Sequence, residues 1–233
     1  MYSPLHHSPK DLGSYINPIT KERLDFASVK QKATALSTCL IQRHGLQVED
    51  TVSLFSTNTI WYPVAMWATV RAGGRVNGAS PAYGKEEMMY AMKIAVTKFI
   101  FTLPASLPTV VEAADAVGLP RSRIFLLEGS APGFLSIQDL ITTGSGLNPA
   151  PSWSIPANRS NTQICGYLNF SSGTTGLPKA VMLSHHNIIA QCHQLRQVQV
   201  LSAASRYKIL AVMVSPSDKA PDISVGSVFA PHC

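Results

Sequence analysis

The sequence has few of the features that mark membrane, disulfide-linked or nucleic-acid-binding proteins. No apolar run reaches the roughly 18–20 residues needed to cross a bilayer, and residues 1–10 are too polar for a secretory signal. The four cysteines show no CxxC spacing, which favours a reducing compartment over a disulfide framework. The net charge is +6, but no two Lys or Arg residues are adjacent, so nucleic-acid binding is not expected. These absences predict a soluble intracellular protein without a membrane span.

The patterns that are present indicate a folded α/β protein. Of the 233 residues, 45% are hydrophobic and 14% are charged, which is typical of a globular chain. A helix is predicted from Asp25 to a C-cap at Gly45, and another from Asn58 or Thr59 to about Ala72. Alternation of such helices with strands predicts a mostly parallel sheet with helices on both faces. The other predicted elements are strands at 51–55, 75–77, 98–103, 123–127 and 207–213, and helices at 85–96, 108–117 and 187–200.

A stretch rich in small and hydroxylated residues occupies positions 168–179, Leu-Asn-Phe-Ser-Ser-Gly-Thr-Thr-Gly-Leu-Pro-Lys. The apolar run 164–170 precedes it and residues 181–183 read as a strand, which places the stretch in a loop between two strands. Glycines let backbone N–H groups approach an anion, hydroxyls are neutral donors, and a lysine supplies a point charge for a terminal phosphate. The alternative is a hairpin loop with no ligand. The predicted polyphosphate-binding residues are Ser171, Ser172, Gly173, Thr174, Thr175, Gly176 and Lys179.

This stretch differs from the Walker A loop, because Pro178 precedes Lys179 and Ala180 follows it. All twelve positions instead resemble the AMP-binding signature of the adenylate-forming superfamily, which includes acyl-CoA synthetases, 4-coumarate–CoA ligases and luciferases. The continuation 181–187 is similar to the 4-coumarate–CoA ligase branch, although Ala180 stands where that branch usually has Gly. The resemblance extends over about residues 15–213.

The resemblance implies an ATP-dependent acyl-CoA ligase, an enzyme that adenylates a carboxylic acid and then transfers the acyl group to coenzyme A. It implies ATP, Mg²⁺ and CoA as cofactors and a small-molecule carboxylic acid, aryl or fatty, as the partner. By family analogy the compartment is the cytoplasm or the peroxisome. The loop would neutralise and orient the β- and γ-phosphates of ATP while pyrophosphate departs.

Composition and the resemblance together predict four segments: a partial first α/β subdomain (1–142), a Pro/Gly/Ser-rich linker or long surface loop (143–162), the phosphate-loop segment (163–213) and a divergent tail (214–233). We do not find the family's His segment after the strand at 209–213, its Tyr-Gly-x-Thr-Glu element, its ribose-binding Asp or the lysine of its C-terminal domain. The chain is therefore expected to be an incomplete N-terminal domain. The tail is either a translated intron or frameshift, or a disordered terminus. The alternative function is a catalytically inactive remnant that at most binds nucleotide phosphates.

Two other groups of side chains are weaker candidates for function. The first is a group near one predicted helix, but no acidic residue or CxxC completes a zinc set, so solvent-facing side chains are expected. Its members are His185, His186, Cys192 and His193. The second group shows helical spacing and is expected in the core. Its members are Trp61, Trp67, Met88, Met89 and Met92.

Overall fold

Strands and helices alternate along most of the chain. The structure, a computed structural model, describes residues 14–171 and 178–202. For residues 196–202 it describes the backbone alone. The predicted strand at 207–213 and the tail at 214–233 lie outside this range. The strands are β1 (Ser14–Ile16), β2 (Arg23–Asp25), β3 (Thr51–Phe55), β4 (Arg75–Ala79), β5 (Thr97–Thr102), β6 (Ile124–Leu126), β7 (Leu135–Ser136), β8 (Cys165–Ser171) and β9 (Lys179–Ser184). The helices are α1 (Phe26–His44), α2 (Tyr62–Arg71), α3 (Lys85–Ala95), α4 (Leu107–Val117), α5 (Ile137–Ser145) and α6 (His185–Ser202).

Seven of these strands form one sheet in the order β7-β6-β5-β3-β4-β8-β9. Every neighbouring pair is parallel except β8 and β9, which are antiparallel. The central strand β3 is buried along its whole length, as expected when helices cover both faces of a parallel sheet. The prediction of a mostly parallel sheet is therefore confirmed.

Two layers of helices cover the sheet, because successive side chains of a strand point to opposite faces. On one face Phe99 and Phe101 of β5 join the core formed with α1, α2 and α5. On the other face Ile100 joins the core formed with α3 and α4. Both layers that the alternating pattern predicts are present.

Helix α1 begins and ends where the sequence predicts. The Asp25 carboxylate accepts a hydrogen bond from the Ser28 backbone N–H at 2.7 Å, and this bond lowers the pKa of Asp25. Gly45 ends the helix in the left-handed region, with φ of 70°, and its N–H donates to the Leu40 carbonyl. Both caps are therefore confirmed.

Helix α2 differs from its prediction at its start and on one face. It begins at Tyr62, because the Thr59 hydroxyl accepts from the Trp61 N–H and donates to the Glu128 carboxylate across the sheet edge. Trp61 is buried as expected, but Trp67 is 40% exposed, so its placement in the core was wrong. Val64 and Ala68 lie on the buried face of α2. Trp67 is one position before Ala68 and therefore points about 100° away from it around the helix axis, outside that face. On the next helix, α3, Met88 and Met92 are buried, as predicted.

Helix α5 was not predicted from the sequence. Ser136 and Asp139 form a capping box at its start, and its last turn lies in a stretch of Thr, Gly and Ser that is typical of loops. It packs closely against α1 at Gly144, where a Cβ atom would lie 1.9 Å from the Ala35 carbonyl oxygen. The close approach of two helix backbones explains why glycine stands there.

The segment after α5 packs against α1 and the end of α2 through hydrogen bonds and one aromatic ring. The Arg71 guanidinium donates to the Ala150 carbonyl at 2.6 Å, and the Ala150 N–H donates to the Thr38 hydroxyl at 3.1 Å. A Cβ atom on Gly73 would lie 2.7 Å from the Trp153 ring. Strands before and after the segment belong to the same sheet. The division into a subdomain 1–142, a linker 143–162 and a phosphate-loop segment 163–213 stays a prediction.

None of the helices among the described residues combines the length and the apolar character that a membrane crossing requires.

Candidate functional site

The predicted phosphate loop closes an antiparallel hairpin. Strands β8 and β9 pair up to Ser171 opposite Lys179, so residues 172–178 connect them. Ser171 and Lys179 are therefore the members of the predicted site that the structure places, one on each side of the hairpin mouth. The other predicted site residues lie outside the described range: Ser172, Gly173, Thr174, Thr175 and Gly176.

The hairpin mouth lies at the carboxyl edge of the parallel sheet. Strand β8 runs parallel to β4, and β4 runs parallel to β3, so the loops that follow all three strands leave the same edge. The helices after β3 and β4 pack on opposite faces, an arrangement that in open α/β sheets leaves a crevice between the carboxyl ends of the two strands. Open α/β sheets bind ligands in such crevices. The topology therefore places the hairpin mouth beside the usual ligand position of this class of sheet.

Two serines that the sequence analysis did not identify as candidates stand at the carboxyl ends of these strands. Ser56 directly follows β3 and Ser80 directly follows β4. A sequence signal was available for Ser56 alone, which directly follows the buried strand β3, whereas β4 (Arg-Val-Asn-Gly-Ala) is not an apolar run. The two serines become candidates only when the strand order brings the ends of β3 and β4 together.

Lys179 is exposed, and within the described part of the chain its ammonium group has no hydrogen-bond or ion-pair partner. Side chains alternate along β9, so Lys179 shares a sheet face with Val181 and, across the pair, with Ser171 and Asn169. The ammonium is thus available to an anion near the hairpin mouth. No ion pair with a described residue has to be broken first.

Two half-buried tyrosines, Tyr62 and Tyr167, lie on the sheet face that α2 covers. Burial raises the pKa of Tyr62 and of Tyr167 to about 12, so both phenols are neutral at physiological pH. The Tyr62 hydroxyl lies 3.5 Å, and the Asn169 side-chain oxygen 3.7 Å, from the position that a Cβ would take on Gly78. A Cβ at Gly78 would make ordinary van der Waals contact with both atoms. The tyrosines therefore act through position rather than charge.

The candidate metal group is not arranged as a metal site. His186 and His193 are exposed, whereas the His185 ring packs 3.1 Å from the Cβ position of Gly166, and burial lowers the pKa of His185. His185 is therefore a packing residue at the start of α6 rather than the solvent-facing side chain that was expected. Among residues 14–171 and 178–202, no group of three or more His, Cys, Asp or Glu side chains could hold a metal ion.

Comparison with solved structures shows which known fold this chain has. The fold is that of the N-terminal part of adenylate-forming enzymes. One similar structure is that of ATP-bound MatB from Rhodopseudomonas palustris, with a TM-score of 0.60 and 24% sequence identity. The match covers 80% of this chain and 34% of that one.

The chain belongs to the family of AMP-binding enzymes, whose model matches residues 8–232. It is 35% identical over 150 residues to a phenylacetyl-CoA ligase of Aspergillus niger, a match that covers 63% of this chain and 28% of the relative. It is 26% identical over 177 residues to 4-coumarate–CoA ligase-like 8 of Arabidopsis thaliana, covering 76% of this chain and 31% of the relative. The resemblance read from the signature is therefore confirmed. The chain spans about three tenths of the length of these relatives.

Proposed function

We propose that this chain provides the phosphate-binding part of an ATP-dependent acyl-CoA ligase that activates a small carboxylic acid. The observation that carries the proposal is the hairpin of β8 and β9, which spans an AMP-binding signature, has its mouth at the carboxyl edge of the sheet and carries there a cation, Lys179, without an ion-pair partner among the described residues. The names of the relatives, a phenylacetyl-CoA ligase among them, support an acyl-CoA ligase.

The proposed reaction has two steps. A carboxylate oxygen of the acid attacks the α-phosphorus of ATP, and the bond from that phosphorus to the oxygen bridging to the β-phosphate breaks, which releases pyrophosphate. The sulfur of CoA then attacks the acyl carbonyl carbon of the acyl-adenylate, its proton is lost, and AMP leaves with the electron pair of the broken C–O bond.

In the first step the chain's own residues act on the departing pyrophosphate. Lys179 would pair with the outer phosphates, and the hydroxyls of Ser172, Thr174 and Thr175 would donate hydrogen bonds to them. Gly173 and Gly176 would let backbone N–H groups approach. Such contacts help most where charge develops in the transition state. Mg²⁺, when bound with ATP, would supply further neutralisation of the phosphates.

An exchange assay tests the proposal. The purified chain is incubated with Mg-ATP, labelled pyrophosphate and one acid at a time: phenylacetate, 4-coumarate or a fatty acid. We expect acid-dependent transfer of label into ATP if this polypeptide adenylates by itself. Binding of Mg-pyrophosphate without exchange would support the phosphate-binding remnant instead. A chain that neither exchanges nor binds pyrophosphate would contradict both.

A further inference from the structure

The surface of the sheet has a small polar notch over Gly78, inside strand β4. Gly78 lies beside Asn169 of β8 in the parallel strand pair. The Tyr62 hydroxyl and the Asn169 side-chain oxygen lie 3.5 Å and 3.7 Å from the position that a Cβ would take on Gly78. The missing side chain therefore leaves a space bordered by two polar groups. We call this space, formed by Tyr62, Gly78 and Asn169, the Gly78 notch.

The residue types at the notch are unusual for the interior of a sheet. Glycine and asparagine are both poor strand formers, yet here they stand side by side on neighbouring strands. A glycine inside a strand often marks the close approach of another backbone or of a ligand. Among the described residues, both neighbours of the Gly78 Cβ position are side-chain atoms at ordinary contact distances. Packing against them does not require glycine, which favours a ligand as the reason for it.

The polar groups of the notch are free to bind a ligand. Asn169 is exposed and Tyr62 and Gly78 are half-buried, so solvent reaches them. Within the described part of the chain, neither the Tyr62 hydroxyl nor the Asn169 amide makes a hydrogen bond. Burial raises the pKa of Tyr62 to about 12, so its hydroxyl keeps the proton that it can donate. Rotation of the Asn169 amide brings either its N–H groups or its oxygen to the notch.

The notch lies on the same face of the hairpin as Lys179. Because side chains alternate along a strand, this face carries Tyr167, Asn169 and Ser171 of β8 and Lys179, Val181 and Leu183 of β9. Lys179 is the one charged side chain of that set. Asn169 lies about 7 Å along β8 from Ser171, the partner of Lys179. Val181, opposite Asn169, is 45% exposed, so this part of the face is open.

We propose that the Gly78 notch is a second contact for the polyphosphate anion that Lys179 binds. The Asn169 amide and the Tyr62 hydroxyl donate hydrogen bonds to one phosphate group, while the Lys179 ammonium pairs with the next. Phosphate oxygens are acceptors, and both groups of the notch can donate. The absence of a Cβ on Gly78 lets a phosphate oxygen approach the sheet. This inference rests on the proposed function and adds two positioning side chains to it.

Gly78→Ala is the sharpest test, because it separates binding from stability. The added methyl group occupies the notch at ordinary contact distances, and alanine restricts the unfolded chain more than glycine does. We therefore expect unchanged or higher stability in urea, together with 3- to 10-fold weaker binding of Mg-pyrophosphate by calorimetry, about the loss of one neutral hydrogen bond. Gly146→Ala, in the segment after α5, is the control and should bind like the parent.

Tyr62→Phe and Asn169→Ala each remove one donor, and each should weaken Mg-pyrophosphate binding by about 3- to 10-fold. Tyr90→Phe removes the hydroxyl of a half-buried tyrosine on α3, which covers the opposite face of the sheet, and should have no effect. Asn148→Ala, at an exposed position after α5, is the control for Asn169. The side-chain amide signals of Asn169 should also shift during titration of the parent.

The outcomes distinguish this inference from the proposed function. If Lys179→Ala weakens pyrophosphate binding but the notch variants Gly78→Ala, Tyr62→Phe and Asn169→Ala do not, the notch inference is wrong and the phosphate-binding function stands. A parent chain that does not bind pyrophosphate would contradict both. A carboxylate has similar acceptor oxygens, so phenylacetate is titrated as well. Notch variants that weaken phenylacetate binding and leave pyrophosphate binding unchanged would overturn the inference.

Discussion

Gly144→Ala is expected to lower the free energy of unfolding by about 3 kcal/mol, at the upper end of the usual cost of overpacking. The new methyl group would lie 1.9 Å from the carbonyl oxygen and 2.7 Å from the carbonyl carbon of Ala35. Both are backbone atoms of α1, so no side chain can rotate away and α5 must move off α1. Urea unfolding followed by circular dichroism measures the change.

The sign of the change in unfolding free energy distinguishes a glycine in a tight helix–helix contact from a glycine in an exposed helix. In an exposed helix, alanine in place of glycine usually stabilises by up to about 1 kcal/mol. Gly146→Ala is the matched control, since Gly146 has φ of −86° and its Cβ would lie at an ordinary contact distance of 3.6 Å from the Thr143 carbonyl oxygen. We expect that variant to stay within about 0.5 kcal/mol of the parent. A Gly144→Ala protein as stable as the parent would contradict the packing of α5 on α1.

Lys179→Ala is expected to weaken the binding of Mg-pyrophosphate by about 10- to 100-fold, corresponding to the loss of a hydrogen bond to a charged group. Lys179 is exposed and has no ion-pair partner among the described residues, so its removal should leave the fold intact. Isothermal titration calorimetry gives the two dissociation constants. Lys179→Arg keeps the charge and should lose less affinity, although guanidinium does not reproduce a compact ammonium.

The control for this prediction is Lys98→Ala. Lys98 is also an exposed lysine on a strand, β5, so its removal changes the net charge by the same amount. Its loss should leave pyrophosphate affinity unchanged within experimental error. If Lys98→Ala and Lys179→Ala weaken binding equally, the effect is general electrostatics and the role assigned to Lys179 is wrong.

Local signals predicted the elements whose ends are set by their own residues. Asp25 and Gly45 bound α1 because a carboxylate cap and a left-handed glycine act within one turn. The strand at residues 51–55 is fully buried in the centre of a parallel sheet, and such strands read as short apolar runs between breakers. These parts of the fold could be read without knowing the tertiary structure.

Elements that depend on distant partners could not be read in this way. Helix α5 ends in Thr-Thr-Gly-Ser, which has low helix propensity, and it is stabilised by packing that requires Gly144 against Ala35. Thr59 looked like a helix cap, but its hydroxyl donates to Glu128, 69 positions further along the chain. Trp67 lies in an apolar helix yet remains exposed, because hydrophobicity alone does not say which side a helix buries.

The same distinction between local signals and distant partners applies to the candidate site. Its loop could be predicted because the signature is contiguous, and the two strands around it were expected for the same reason. The crevice near Ser56 and Ser80 could not, since it arises from strand order. The position of the Tyr62 hydroxyl near Gly78 and Asn169 likewise depends on the pairing of β4 with β8.

The central claim is that the hairpin loop between β8 and β9 binds the pyrophosphate end of ATP. The most direct test is a map of backbone amide chemical shifts of the 233-residue chain during titration with Mg-pyrophosphate. We predict that the largest changes fall on residues 171–179 and saturate with a single dissociation constant. Changes centred elsewhere, for example on the basic turn at Arg121 and Arg123, or no change at saturating pyrophosphate, would contradict it.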